Sequence, residues 1–319
     1  MKIAIVGAGF SGIATAWFCL EHSAKVTLFE KKAIGAGASG VAAGLLHPFV
    51  GAKAHLNWNG TLALQDTLFL LEIASKALGV SVYKKTGMFR PATTEKQNKY
   101  FKKTAALYPE LTAWQKPSFF DCTHEGLFIP DAYTVDCKAY LNGLWKACSE
   151  RGAQLEIGTI DHIDALSSFD AVFFATGASH IQGCAFPPFE KVKGQLLEVA
   201  FDELLPFAIN SSAYIAQFSQ GSCILGATFE RTWQDEQPDA KLADFHIRTS
   251  IASFSPKLAA LPFHDCRAAL RAMSPSSLPI IQQVHPKAWY IGAMGAKGLL
   301  YHAFFAKKCL HYFLHQIGC

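Results

Sequence analysis

Lys2 to Gly12 reads KIAIVGAGFSG, and Lys25 to Glu30 reads KVTLFE. These two stretches decide the fold. Lys2 to Gly7 is a short, nearly continuous apolar run, as expected of a strand buried on both faces, and Lys25 to Glu30 is a second one. Between them Gly12 to His22 fits a helix with Ile13, Ala16, Trp17 and Leu20 turned inward. Strand, helix and strand make a βαβ unit, so the sheet is parallel there. The glycines at the joint have separate tasks. Gly7 permits the tight turn, Gly9 lets a pyrophosphate approach the backbone and the helix N-terminus, and Gly12 allows the helix to pack closely on the strand. Glu30 follows Gly12 by 18 residues and ends the second strand, where it can accept hydrogen bonds from ribose hydroxyls. It also disfavours a 2′-phosphate, which argues against NADP. A glycine pattern alone is a weak sign; here all four parts fall where a dinucleotide requires them.

Further along, Asp170 to Thr176 (DAVFFAT) forms a third apolar strand followed by Gly177, and Trp289 to Gly292 (WYIG) a fourth that leads into a helix from about Gly298. The nucleotide-binding domain is therefore discontinuous. Val80 to Arg90, Lys193 to Phe201, Ala213 to Phe218 and Cys223 to Thr228 read as strands joined by turns rather than by crossover helices, which predicts an antiparallel sheet. The expected division assigns 1–75, 132–190 and 265–319 to nucleotide binding, and 76–131 and 191–264 to the substrate. With no low-complexity linker, the two parts are expected to pack rigidly.

Composition narrows the function. A chain of 319 residues that is 50% hydrophobic and 17% charged can bury a large core, which excludes a lone small module and disorder. No run of 18 apolar residues marks a membrane span. The apolar opening from Met1 to Leu20 superficially resembles a secretory signal, but the glycine turn explains it better and no small-residue cleavage site follows. The nine cysteines are scattered without a C-x-x-C pair, so no metal site is expected, and reduced thiols in a cytoplasmic protein are the expectation. A net charge of +4 is too small to imply nucleic acid unaided. One cluster stands out: on a helix within Thr94 to Leu107, Lys96, Lys99, Lys102 and Lys103 share a face, read first as a solvated surface and second as a phosphate-tracking patch.

NAD and FAD share the dinucleotide fingerprint, so the choice between them rests on the next segment of the chain. Ala36 to Pro48 (AGASGVAAGLLHP) is a stretch of small residues that could lie flat against a planar ring. It resembles the flavin-facing segment of the D-amino-acid oxidase superfamily, which includes glycine and sarcosine oxidases and D-amino-acid dehydrogenases. The similarity continues through Val135-Asp136, Ala175 to Ala178, Lys193-Gly194-Gln195, Leu225 to Thr228, Arg271 with Leu278-Pro279-Ile280, and Gly292 to Leu300. Within the superfamily, Gly37 to Gly40, Gly226 to Arg231 and Gly292 to Gly298 look most like the FAD domains of bifunctional tRNA enzymes that act on carboxymethylaminomethyl-uridine. Unlike in those enzymes, no methyltransferase domain is expected here.

The resemblance implies an α/β protein with a Rossmann-like FAD-binding domain and an inserted antiparallel-sheet substrate domain. It implies FAD contacts from Gly7, Gly9, Phe10, Ser11, Gly12, Glu30, Lys31, Ala38, Ser39, Ala43, Gly44, Leu45, Ile160, Thr176, Gly177, Gly295, Ala296, Lys297, Gly298 and Leu299. The N-terminus of the last helix, with Lys297 beside it, would stabilise the negative charge of reduced flavin, unless Lys297 is simply an exposed lysine. Arg271 stands at the superfamily's position for clamping a substrate carboxylate, with a structural ion pair as the alternative. Tyr214 would give a second carboxylate contact or ordinary sheet packing. His47 would touch flavin or substrate, or rest in loop hydrogen bonds; a covalent flavin link is the lesser option.

The implied reaction takes a hydride from the carbon beside an amine nitrogen of a small amino acid, a D-amino acid, glycine or an N-substituted glycine. Oxidation of modified tRNA is the alternative, and a flavoprotein without catalysis the third. The electron acceptor has no signature in the chain.

Overall fold

The computed structural model describes residues 1–117, 119 and 121–318. Two large sheets organise them. The first has six strands in the order Ile280–His285, Ala288–Gly292, Ala171–Phe174, Lys2–Val6, Lys25–Glu30 and Gln154–Ile157. Neighbours run parallel except for the edge strand Ile280–His285, which returns antiparallel. Helices Phe10–Glu21, Gly60–Leu78, Cys137–Glu150 and Gly298–Gln316 supply one continuous core, joining Ile3, Ile5, Ile13, Leu70, Leu144, Phe173 and Tyr301, all at most 1% exposed. The expected strands stand where the sequence placed them. Gln154–Ile157 and Ile280–His285 were not anticipated, because each is short and mixes polar with apolar residues.

The second sheet has eight strands in the order Phe263–Met273, Glu190–Phe201, Gly221–Gly226, Tyr214–Ala216, Ala208–Asn210, Met88–Pro91, Gly126–Ile129 and Ala113–Gln115. All pairs are antiparallel except Ala208–Asn210 on Met88–Pro91, which is parallel. The expected run Val80 to Arg90 is two strands, not one. Gly87, at φ +67°, turns the chain, so that Tyr83–Lys85 joins a small three-stranded sheet and Met88–Pro91 joins the large one. Phe263–Met273 lies in the eight-stranded sheet along Glu190–Phe201, so that sheet takes in residues beyond position 265.

The lysine helix runs from Glu95 to Leu107, capped by Thr94, whose hydroxyl accepts from the Gln97 N–H at 3.2 Å. All four of its lysines are exposed. Among the described residues no helix is long and apolar enough to cross a membrane, and no cluster of ligating side chains suits a metal ion. The described cysteines are free thiols; Cys319 lies outside the described residues.

Candidate active site

The site begins as a backbone feature. Helix Phe10–Glu21 starts after Gly9, which is extended and offers no side-chain cap, and its first turn holds no acid. The N–H groups of that turn are thus available to an anion; one of them, on Phe10, donates to Ser39 Oγ at 3.0 Å. A Cβ on Gly9 would come within 2.8 Å of the same oxygen, and one on Gly12 within 1.8 Å of the Gly7 carbonyl. Both glycines therefore keep backbone exposed or close-packed for a reason of space. Gly44 is a third case: at φ +77°, an added Cβ would lie 1.9 Å from the Val135 carbonyl. Glu30 is fixed at the end of its strand, its carboxylate accepting from Ala8 N–H at 2.8 Å and Lys32 N–H at 3.1 Å.

These loops open onto a cavity of about 460 Å³. Of the expected cofactor residues, Gly9, Phe10, Ser11, Ala38, Ser39, Ala43, Gly44, Leu45, Gly177, Gly295, Ala296, Gly298 and Leu299 line it. So do all three expected reaction-site residues, His47, Tyr214 and Arg271. Gly7 and Gly12 stand behind the wall in strand and helix packing. Lys31 is exposed, Ile160 packs against the apolar cluster on the other face of the parallel sheet, and the Thr176 hydroxyl donates to the Ser179 carbonyl at 2.6 Å. Lys297 departs from expectation: its ammonium donates to the Ser277 carbonyl at 3.0 Å and does not line the cavity. Partial burial pushes its pKa down. The positive end of helix Gly298–Gln316, which has no side-chain cap, is left to face the cavity through Gly295, Ala296 and Gly298.

The far wall comes from the eight-stranded sheet, and glycines again make room. Arg271 pairs in register with Val192, and its guanidinium lies over Gly194, where an added Cβ would meet Nη2 at 1.9 Å. Tyr214 pairs with Gly226, where a Cβ would fall 2.6 Å from the phenol oxygen. Arg271 has one long protein contact, Nη2 to the Thr228 carbonyl at 3.5 Å, and no described ion pair. Its alternative reading as a structural ion pair is thus not supported. Burial raises the Tyr214 pKa against the opposing pull of Arg271, so the phenol keeps its proton. His47 is 2% exposed, and burial, aided by Arg90, lowers its pKa to about 3. The imidazole is neutral, and its Nδ1 has no hydrogen-bond partner.

Two features escaped the sequence reading. Arg90, 2% exposed, also lines the cavity. Between helix Cys137–Glu150 and the last helix, Tyr140 and His302 form a buried hydrogen bond at 2.6 Å, and His302 Nδ1 lies 3.1 Å from the carbonyls of Gly298 and Leu299. Carbonyls only accept, so Nδ1 carries the proton and Nε2 accepts from the Tyr140 hydroxyl. Burial lowers the His302 pKa to about 4, which keeps this arrangement neutral. A tyrosine and a histidine 162 positions apart leave no local signal of such a pair.

The Gly226 to Arg231 stretch works within the sheet. Gln195 N–H donates to Thr228 Oγ1 at 2.9 Å, Gln195 Nε2 donates to Glu230 at 3.0 Å, the Thr228 hydroxyl bonds Glu230 as well, and Arg231 pairs with Glu190 at 3.4 Å.

Comparison with known proteins agrees with this geometry. Residues 2–309 match the family model described as "DAO: FAD dependent oxidoreductase". The chain is 23% identical over 308 residues to the tRNA 5-methylaminomethyl-2-thiouridine biosynthesis bifunctional protein MnmC of Maricaulis maris, an alignment covering 93% of this chain and 49% of that protein. It therefore spans about half the length of that relative. It is 23% identical to a putative thiamine biosynthesis oxidoreductase, ThiO, of Rhizobium etli, covering 89% of this chain and 88% of the other. Among solved structures, glycine oxidase from Geobacillus kaustophilus superposes with a TM-score of 0.83 at 20% identity, covering 99% of this chain and 95% of that one. Iminodiacetate oxidase from a Chelativorans species gives a TM-score of 0.81 at 17% identity, covering 98% and 95%. A family model matched along residues 2–309, in a chain whose cavity is walled by helix N-termini and close-packed glycines, places this chain in the DAO family of FAD-dependent oxidoreductases.

Proposed function

We propose that the protein oxidises the carbon–nitrogen bond of a small amino acid: a D-amino acid, glycine or an N-substituted glycine. One observation carries this reading. Arg271, free of any described carboxylate partner, faces the same cavity as the flavin-type loops, and no Asp or Glu lines that cavity among the described residues. A guanidinium held this way suits a substrate carboxylate in a two-point contact.

FAD, when bound, would supply a hydride acceptor for the carbon beside the nitrogen; with that nitrogen's proton released to water, the substrate becomes an imine, which water splits into a carbonyl compound and an amine. The chain's own residues supply position. Gly9, Ser11, Gly295, Ala296 and Gly298 would offer backbone to the cofactor's anionic parts at two helix N-termini, and Ala38 to Leu45 would give it a thin wall. Glu30 keeps acceptor capacity for ribose beyond its two backbone contacts. Arg271 holds the carboxylate and the Tyr214 hydroxyl, protonated at working pH, can donate to the same group. Holding the substrate in one orientation can supply much of the rate without a dedicated side-chain base.

The test is an anaerobic screen of flavin absorbance with D-amino acids, glycine, sarcosine and carboxymethylaminomethyl-modified tRNA. Bleaching by a free amino acid supports the reading, and bleaching by the tRNA alone removes it. The tRNA alternative draws on the bifunctional relatives and on the exposed lysines of helix Glu95–Leu107.

A further inference from the structure

On the reading that the cavity oxidises a free amino acid, we propose that Arg90 and His47 form a second anion subsite within it. This subsite selects substrates that carry another carboxylate besides the one held by Arg271.

Arg90 sits in the strand Met88–Pro91, 2% exposed, and its guanidinium lies over the Phe101 ring, 4.9 Å from the centroid. Three of a guanidinium's five N–H groups are engaged: Nε with the Asn210 carbonyl at 3.1 Å, Nη1 with Phe49 at 2.8 Å and Nη2 with Gly51 at 2.9 Å. Each of these partners is a neutral main-chain oxygen. Among the described ion pairs none includes Arg90. A buried charge without a counter-charge is unfavourable, and a protein that needed only to tie Phe49 and Gly51 to Asn210 could use a neutral donor at less cost. The guanidinium has two N–H groups beyond these three bonds, and Arg90 is among the residues that line the cavity.

The second observation is His47. It lines the same cavity and is as deeply buried as Arg90, with an Nδ1 that meets no hydrogen-bond partner. Burial and the neighbouring Arg90 keep it uncharged, so it puts a polar ring beside Arg90 without adding a second positive charge. Asn210 and Ser211 continue this stretch of wall. Arg271 enters from a different strand, Phe263–Met273. The cavity therefore has two arginines, both without acidic partners and with no Asp or Glu lining it among the described residues. One carboxylate satisfies Arg271 and leaves Arg90 unpaired. A second carboxylate on the substrate completes the balance.

The holoenzyme tests this with two matched pairs under anaerobic conditions, iminodiacetate against sarcosine and D-aspartate against D-alanine, following the rate of flavin bleaching. In at least one pair the acidic member is expected to show kcat/KM higher by roughly 10- to 150-fold, the range of a charge-assisted hydrogen bond. Arg90→Gln should collapse that ratio towards one, and Arg90→Lys should keep part of it. Because Arg90 also ties loop to strand, binding to the wild-type protein gives an independent measure: thiodiacetate, which has no amine to oxidise, should perturb the flavin spectrum at concentrations about tenfold lower than (methylthio)acetate does. Equal rates within both pairs and equal affinities for the two thioethers would overturn the subsite while leaving amino-acid oxidation intact. So would a ratio unchanged in Arg90→Gln. If no free amino acid bleaches the flavin at all, the underlying reading fails and the subsite falls with it.

Discussion

The six-stranded and eight-stranded sheets meet at one cavity but contribute to it by different means. The parallel sheet offers backbone: extended Gly9, the open first turn of helix Phe10–Glu21 and the glycine-rich entry to helix Gly298–Gln316. The mostly antiparallel sheet offers side chains: Arg90, Tyr214 and Arg271, on three strands, with Gly194 and Gly226 vacating the space two of them occupy. Backbone recognition needs a fixed local geometry, so it imposes a short pattern on the sequence. Side-chain recognition needs only convergence in space, which strand order supplies without any local pattern.

The contrast is broken first at the backbone side. Gly12→Val places a Cβ 1.8 Å from the Gly7 carbonyl oxygen, a main-chain atom that cannot rotate aside. Overpacking of this kind costs about 1–3 kcal/mol and here displaces the turn itself. The expected outcome is loss of most bound FAD and a lower Tm, measured by flavin absorbance per protein and by thermal unfolding. Retention of full flavin occupancy would show that the turn is not the cradle.

On the side-chain side the expected loss is in turnover alone. Arg271→Ala should keep FAD while lowering kcat/KM by roughly 10- to 150-fold, the equivalent of a charge-assisted carboxylate contact of about 1.5–3 kcal/mol. Arg271→Lys should recover part of it, since a point charge replaces a fork. Gly194→Ala sharpens the point: it leaves the arginine in place but puts a methyl group where its guanidinium rests. Its loss should be smaller than that of Arg271→Ala, about tenfold, and the double variant should resemble Arg271→Ala alone, because the two changes act through one group. Additive losses would mean that Gly194 serves something else.

The same division explains what could be read in advance. The strand–helix–strand unit and the positions of Gly7, Gly9, Gly12 and Glu30 follow from spacing alone, and the four apolar strands of the parallel sheet follow from their unbroken hydrophobicity. Arg271 and Tyr214 became visible only through family likeness, since an arginine or tyrosine in a strand has no signature of its own. Arg90 stayed hidden for that reason and for another: a charged residue in a short strand reads as its solvent-facing member, while the fold buries it against two carbonyls of the loop at Phe49 and Gly51 and one at the end of the neighbouring strand, on Asn210. Lys297 is the opposite case. Its place beside a helix N-terminus was legible, but the direction of a long, flexible side chain was not, and the Ser277 carbonyl draws it aside.

A smaller effect comes from two buried histidines outside both large sheets. His47 and His302 have pKa values lowered to about 3 and about 4, whereas in the unfolded chain each titrates near 6.5. Between those values the unfolded state takes up protons that the folded state refuses, so stability contributed by the neutral imidazoles is full above about pH 6.5 and declines as pH falls. Going from pH 7.5 to 5, the loss is about 2 kcal/mol for each histidine, on the order of 1.4 kcal/mol per pH unit below 6.5. Thermal unfolding of the holoenzyme across that range should show it, and His302→Asn should flatten the slope. A Tm independent of pH from 7.5 to 5 would contradict the buried, neutral state of both.

The smallest effect is expected outside the cavity, and it separates the two substrate classes. Lys96, Lys99, Lys102 and Lys103 are exposed on helix Glu95–Leu107, and Lys102 rests 5.0 Å from the centre of the Trp114 ring. They do not line the cavity. Replacing all four with glutamate should leave FAD content and flavin bleaching by a free amino acid within about twofold of the original, as substitutions on a solvated helix face do. If instead modified tRNA is the substrate, the phosphate backbone has to be tracked by lysines such as these. Binding of tRNA would then weaken steeply between 50 and 200 mM salt through counterion release, and the four changes would abolish it. A salt-steep affinity that disappears in the quadruple variant, together with bleaching by modified tRNA and by no free amino acid, would move the substrate from the cavity's own side chains to the surface around it.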